Sequence, residues 1–135
     1  MKEGDALSIL TKNITQDNIA KYAEASGDFN PIHLDESFAQ TTPFNGTIAH
    51  GMLLLGFLSE LMSNTFGHDW AESGKLRVRF RGAAHPGDTI TITGKVSAIQ
   101  EQDGTKTTQC ALECRNQIGT ILITGEGNTK STTSS

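Results

Sequence analysis

The chain is poor in the residues that mark several common protein classes. It has only 2 cysteines, Cys110 and Cys114, in 135 residues. They stand four apart in a segment that reads as a strand, so their Cα atoms lie about 13 Å apart at strand rise. A disulfide needs them within about 7 Å, which excludes a bridge between the two. Both read as buried thiols in a reducing compartment. Long hydrophobic runs are missing too. The longest strongly apolar stretch is GMLLLGFL, far short of the ~20 residues of a membrane-spanning helix. The N-terminal MKEGDALSIL lacks the apolar stretch of a signal peptide, so the cytoplasm is the expected location. Positive charge is scarce as well: a net charge of −4 argues against a nucleic-acid or membrane surface as partner.

Familiar catalytic signatures are equally thin. No GxSxG elbow surrounds Ser26 or Ser59, which sets a serine hydrolase aside. The four histidines, His33, His50, His68 and His85, show neither HExxH spacing nor a companion cysteine pair, so no metal site is expected. GEGNTK offers two glycines of a phosphate loop without the rest. With no complete P-loop or dinucleotide fingerprint, no cofactor is expected either.

What is present reads as one α+β domain. ALSILTK suits a short first strand. ITQDNIAKYAEASG reads as a helix with Thr15 as N-cap, Ile14 and Ile19 as a hydrophobic staple and Gly27 closing the end. DESFAQ suits a short helix capped by Asp35. TIAHGMLLLGFLSELMSNTFG carries the longest helical signal, apolar nearly all round, as for a helix buried on most sides. From Lys75 the pattern alternates: KLRVRFRG, TITITGKVSAI, TKTTQCALECR and TILITGEGNT read as four antiparallel strands, with Leu76, Val78 and Phe80 facing inward on the first. A sheet wrapped around the apolar helix buries GMLLLGFL most simply. The domain is expected over residues 1–129, with 130–135 a frayed polar tail.

Two short stretches carry chemistry. SGDFNPIH places Asp28, Asn30 and His33 on an expected loop stiffened by Pro31. Asp and His are complementary acid and base groups, and the Asn amide orients a water or a partner. The same residues also suit a plain helix-capping loop. The second stretch is AHGM, Ala49 to Met52, at the start of the long helix. Free N–H groups there suit a carbonyl oxygen that becomes negative during reaction, and Gly51 lets a substrate approach the backbone. A plain first turn that needs a small residue accounts for it somewhat better on sequence alone. The stripe Lys75, Arg77, Arg79 and Arg81 reads first as a solvated strand face, with phosphate binding as the alternative.

YAEASGDFNPIHLDESFAQTTPFNGTIAHGMLLLGFLSELM closely resembles the hydratase motif of MaoC-like proteins, the (R)-specific enoyl-CoA hydratases and their dehydratase relatives. The likeness is densest from Tyr22 to Met62 and continues through VRFRGAAHPGDTITITGKV to ITGEGNTK. The resemblance implies a single hot-dog fold, about five strands around a central helix, working as a homodimer. It implies a hydro-lyase that reversibly adds water to trans-2-enoyl thioesters of coenzyme A or acyl carrier protein. Asp28 and His33 match the family's catalytic dyad, Asn30 its supporting amide and Gly51 its oxyanion N–H. Met52 beside Gly51, and Ser59 as a pocket serine, match substrate-side positions. A hot-dog thioesterase or a non-catalytic acyl-binding subunit is the alternative. The segment SNTFGHDWAESGKLRVRFRG departs from the pattern of the polymer-precursor hydratases, which leaves chain length and carrier open.

Overall fold

GMLLLGFL forms the first half of the helix on which the domain is built. In the computed structural model, which describes residues 1–132, the elements run β1 (Leu10–Asn13), α1 (Gln16–Ser26), α2 (Pro31–Leu34), α3 (Glu36–Ala39), α4 (Gly51–Phe66), α5 (His68–Ser73), β2 (Lys75–Phe80), β3 (Thr89–Gln102), β4 (Thr105–Arg115) and β5 (Ile121–Thr132). The strands form one antiparallel sheet in the order β1-β3-β4-β5-β2. α4 packs against β2, β3, β4 and β5. This is the single hot-dog arrangement that the resemblance implies.

Local chemistry explains the boundaries. The Thr15 side chain accepts from the Asn18 N–H to start α1, and Gly27, at φ 78°, ends it. Ile14 and Ile19 are both buried, as a staple requires. Asp103 and Gly104, at φ 54° and 77°, turn β3 into β4 with the Asp-Gly pair that tight hairpins favour. Leu54, Leu58, Leu61 and Met62 of α4 are buried against Ile90, Ile92, Val96, Leu112, Leu122 and Ile123 of the sheet. Cys110 and Cys114 sit free on the buried face of β4, and burial pushes both thiols up to about 11. Among the described residues no helix is long and apolar enough to cross a membrane.

Four expectations need correcting. The long helix begins at Gly51, with His50 as its N-cap. Thr47 to Ala49 instead lie outside any helix or strand, tied by bonds from the Ile48 N–H to the Ile32 carbonyl and from the Ala49 N–H to the Ala84 carbonyl. α4 is buried on one side only, since Met52 is 57% exposed and Gly56 is also open. Phe80 alternates inward with Leu76 and Val78, yet it lies beyond the packed core at the strand's end and is 52% exposed. The expected tail does not begin at Lys130. Lys130, Ser131 and Thr132 pair with Thr107, Lys106 and Thr105, because the long β4 offers them a ladder, while 133–135 lie outside the described residues. The short helix α5, which brings Trp70 into the core, has no counterpart in the sequence reading.

Gly125 tests how closely the edge strand is seated. A Cβ there would stand 2.6 Å from the Arg77 carbonyl oxygen and 2.8 Å from Val78 Cγ1, and a backbone atom cannot turn aside. Gly125→Ala is expected to destabilise the fold by about 1–3 kcal/mol, the usual range for overpacking. Denaturant unfolding measures this directly; an unchanged midpoint would mean that β2 is loosely held.

Candidate active site

The segment between α1 and α4 is a succession of caps that turns polar side chains toward one point. After Gly27, the Asp28 carboxylate accepts the Asn30 N–H at 3.2 Å. Asn30 Oδ1 accepts the Ile32 N–H at 3.0 Å and so caps α2, with Pro31 in its first turn. The single turn of α2 carries His33 inward. Asp35 closes α2 and caps α3 through the Phe38 N–H. DFNPIH is therefore partly helical, where a loop is expected from the sequence, because Asn30 and Pro31 are good starting residues for a short turn of helix.

Gln16 straps this segment to α1. Its amide donates to the His33 carbonyl at 2.8 Å and accepts from the Thr47 hydroxyl at 2.7 Å. Glu36 accepts the Thr47 N–H at 3.2 Å. That bond, followed by the one from Gln40, lowers its carboxyl below the ordinary value.

Asp28, His33, Gly51 and Met52 line one cleft of about 310 Å³, together with Tyr22, Ser26, His50 and Phe80. His33 Nδ1 lies 2.7 Å from the Ile48 carbonyl oxygen. A carbonyl only accepts, so Nδ1 carries the proton and Nε2 is left for chemistry. His50 stacks on His33 with centroids 3.8 Å apart and an interplanar angle of 24°, and Tyr22 packs obliquely on His50 at 4.8 Å. α4 starts here with no side-chain cap bond, so no capping side chain takes up its first N–H groups. A Cβ at Gly51 would approach the Phe80 ring to 3.0 Å, so any larger residue there requires that ring to shift. On the far side of Gly51 and Phe80 lies a second hollow of about 360 Å³, lined in part by Phe44, Ile48, Leu54 and Arg81.

Asp28, His33 and His50 each present a ligand atom within 4.8 Å of one another. A metal lies in the plane of an imidazole that binds it, and two near-parallel rings 3.8 Å apart share no such point close to both. The trio is therefore not arranged for shared coordination of one ion by both rings.

Two expected site residues fall elsewhere. Asn30 does not line the cleft; its amide oxygen holds α2 in place. The Ser59 hydroxyl lies further along α4 and accepts the Trp70 indole N–H at 3.0 Å. Arg77, Arg79 and Arg81 border an open groove on the edge strand, with Arg77 3.9 Å from Glu126 and Arg81 Nε bonded to Thr124. His50, Tyr22, Ser26 and Phe80 are additions. His50 stands in AHGM directly before Gly51, but nothing in linear spacing shows that its ring meets His33.

The sequence matches the MaoC like domain over residues 3–116, and the chain belongs to that family. It is 34% identical over 128 residues to an (R)-specific enoyl-CoA hydratase of Rhodospirillum rubrum, covering 93% of this chain and 85% of that one. A 3-hydroxybutyryl-CoA dehydratase of Methylorubrum extorquens is 30% identical over 123 residues, covering 90% of this chain and 76% of that one. Among solved structures, the (R)-hydratase from Aeromonas caviae involved in PHA biosynthesis superposes with a TM-score of 0.83 at 29% identity, over 96% of each chain.

The placement of Ser59 makes a separable prediction. Ser59→Ala removes the acceptor of a part-buried indole and is expected to lower stability by about 0.5–1.5 kcal/mol. The ring resonances of His33 and His50 should not move. Thermal unfolding beside NMR of the histidine rings checks both; shifted rings would bring Ser59 back to the site.

Proposed function

We propose that the protein is a hydro-lyase that reversibly adds water to trans-2-enoyl thioesters, giving (R)-3-hydroxyacyl thioesters. The observation that carries this reading is the meeting of the Asp28 carboxylate, the His33 ring and the open first turn of α4 at Gly51 in one cleft. The family and the names of its hydratase and dehydratase relatives support it.

The chemistry follows from these groups. Water is a poor nucleophile toward the β-carbon, so Asp28 takes its proton as the oxygen attacks. Electron density moves through the former double bond onto the thioester oxygen, which the Gly51 N–H at the start of α4 stabilises. His33 Nε2 takes up that proton from Asp28 and delivers it to the α-carbon. Both groups are thereby restored, and the net change is addition of one water. Asn30 serves by holding the turn that carries His33. The hollow across Phe80 suits an acyl chain, because its walls are largely apolar. The carrier is coenzyme A or acyl carrier protein, which present the same thioester.

The working unit is proposed to be a homodimer. Among the described residues the outer edge of β2 has no strand partner, and Met52 and Phe80 beside the cleft are more than half exposed. Unpaired edges and exposed apolar side chains favour association. Light scattering should give twice the 14.5 kDa chain mass; a monomer at assay concentration would refute the dimer.

The enzyme reading is tested by the loss of conjugated enoyl-thioester absorbance with crotonyl-CoA. Wild-type protein should consume it, and Asp28→Asn should slow turnover by ~10²–10⁴-fold, the usual contribution of general base catalysis, with an unchanged unfolding midpoint. Equal rates in the two proteins would remove Asp28 from the mechanism. Release of free thiol instead of hydration would mark a thioesterase.

A further inference from the structure

His50 is 2% exposed, and its ring packs against His33 and Tyr22 of the candidate site. Its Nε2 stands 3.0 Å from the main-chain carbonyl oxygen of Asp28. That oxygen can only accept, so Nε2 carries the proton and Nδ1 holds a bare lone pair. Nδ1 is buried and has no hydrogen-bond partner among the described residues. Buried polar atoms left unpartnered are uncommon and call for an explanation. Packing alone supplies none here, since an apolar ring would fill the same space without the orphaned atom. The nitrogen that is used holds the backbone of Asp28, and one face of the ring covers His33. The main chain of the same residue is the N-cap that leads into Gly51.

We propose that His50 is a positioning residue for the hydration reaction, holding Asp28 in register with His33 and Gly51 through its Nε2–H bond to the Asp28 carbonyl. The inference rests on the hydratase reading above. Asp28 lies exposed between Gly27 and Asn30, on a segment whose other bonds are local: its N–H to Ser26 Oγ and its carboxylate to the Asn30 N–H. The bond from His50 spans 22 positions and ties that segment to the start of α4. His33 is tied to the same region through the Ile48 carbonyl. The two rings therefore carry opposite tautomers, each fixed by a backbone carbonyl, and the stack keeps the two carbonyl anchors at a constant separation. Base, acid and oxyanion donor then share one frame, and reaction rates are steeply sensitive to such alignment.

Two substitutions separate donor from ring. His50→Gln keeps an N–H that reaches the same carbonyl and loses the ring; His50→Phe keeps a stacking ring and loses the donor. With crotonyl-CoA, His50→Phe is expected to lose about 10–100-fold in kcat with KM within about threefold, while His50→Gln stays within about threefold of wild type, as misalignment at the reacting atoms predicts. Equal loss in both variants, or loss in neither, overturns the proposal. If His50→Phe does not fold, the ring tautomers of the wild-type protein decide. Nitrogen-15 NMR should find Nε2–H at His50 and Nδ1–H at His33; Nδ1–H at His50 overturns the proposal. Asp28→Asn, run alongside, separates the two levels. A slow Asp28→Asn beside a fully active His50→Phe defeats this inference alone, whereas an inert wild-type protein defeats the hydratase reading and this inference with it.

Discussion

The depth at which α4 sits in the sheet governs the rest of the molecule. Leu54, Leu58, Leu61 and Met62 are buried there, each such side chain contributing roughly 1.5–3 kcal/mol by leaving water. The helix fits closely at one point because Gly127 of β5 carries no side chain: a Cβ there would stand 2.9 Å from Met62 Cε. At Gly94 the space is taken instead by Leu7 and Leu112, which a Cβ would approach to 2.8 and 2.9 Å. The sheet therefore gives up side-chain volume at Gly127, and Met62 of α4 fills it. A helix seated this way resists sliding along its axis, because close-packed interiors resist the void it would leave.

The site inherits that rigidity at one end only. Gly51 and the His50 cap belong to the buried helix, while Asp28 and Asn30 lie on an exposed connection. The connection is held by bonds that cross between elements. Gln16 grips the His33 carbonyl and the Thr47 hydroxyl, His33 grips Ile48, and His50 grips the Asp28 carbonyl. Three of these four bonds end on backbone carbonyls. Side-chain donors that reach main-chain acceptors fix the path of the chain and leave the Asp28 carboxylate and His33 Nε2 for the proposed reaction.

Much of this was legible in the sequence, for identifiable reasons. The caps at Thr15, Gly27 and Asp35 rest on local hydrogen bonding, which linear order determines, and all three are present. The late strands were legible from their alternation. Asp28, His33 and Gly51 could be selected because SGDFNPIH and AHGM concentrate unusual chemistry in few residues. What escaped depends on contacts between distant segments. The stack of His33 on His50 joins two helix starts, the capture of Ser59 by Trp70 needs α5 to fold back on α4, and the exposure of Phe80 follows from where the core ends. The extension of β5 through Thr132 is of the same kind, since a polar threonine-rich segment becomes a strand only when a partner such as Thr105–Thr107 is beside it.

The capping and catalytic readings of SGDFNPIH are not rivals. An ionised carboxylate has two oxygens and about four acceptor positions, and the Asn30 N–H occupies only one of those of Asp28. The same contact that shapes the turn orients the carboxylate and leaves its remaining lone pairs toward the cleft. Asn30 repeats the logic one step along: its oxygen starts α2, and the single turn that follows is what carries His33 inward. Residues chosen only to cap would tolerate exchange among Asp, Asn and Ser, which cap about equally well. A base cannot be exchanged for its amide. The local geometry therefore accounts for why polar residues stand at both positions, and the proposed base chemistry accounts for why an acid stands at 28.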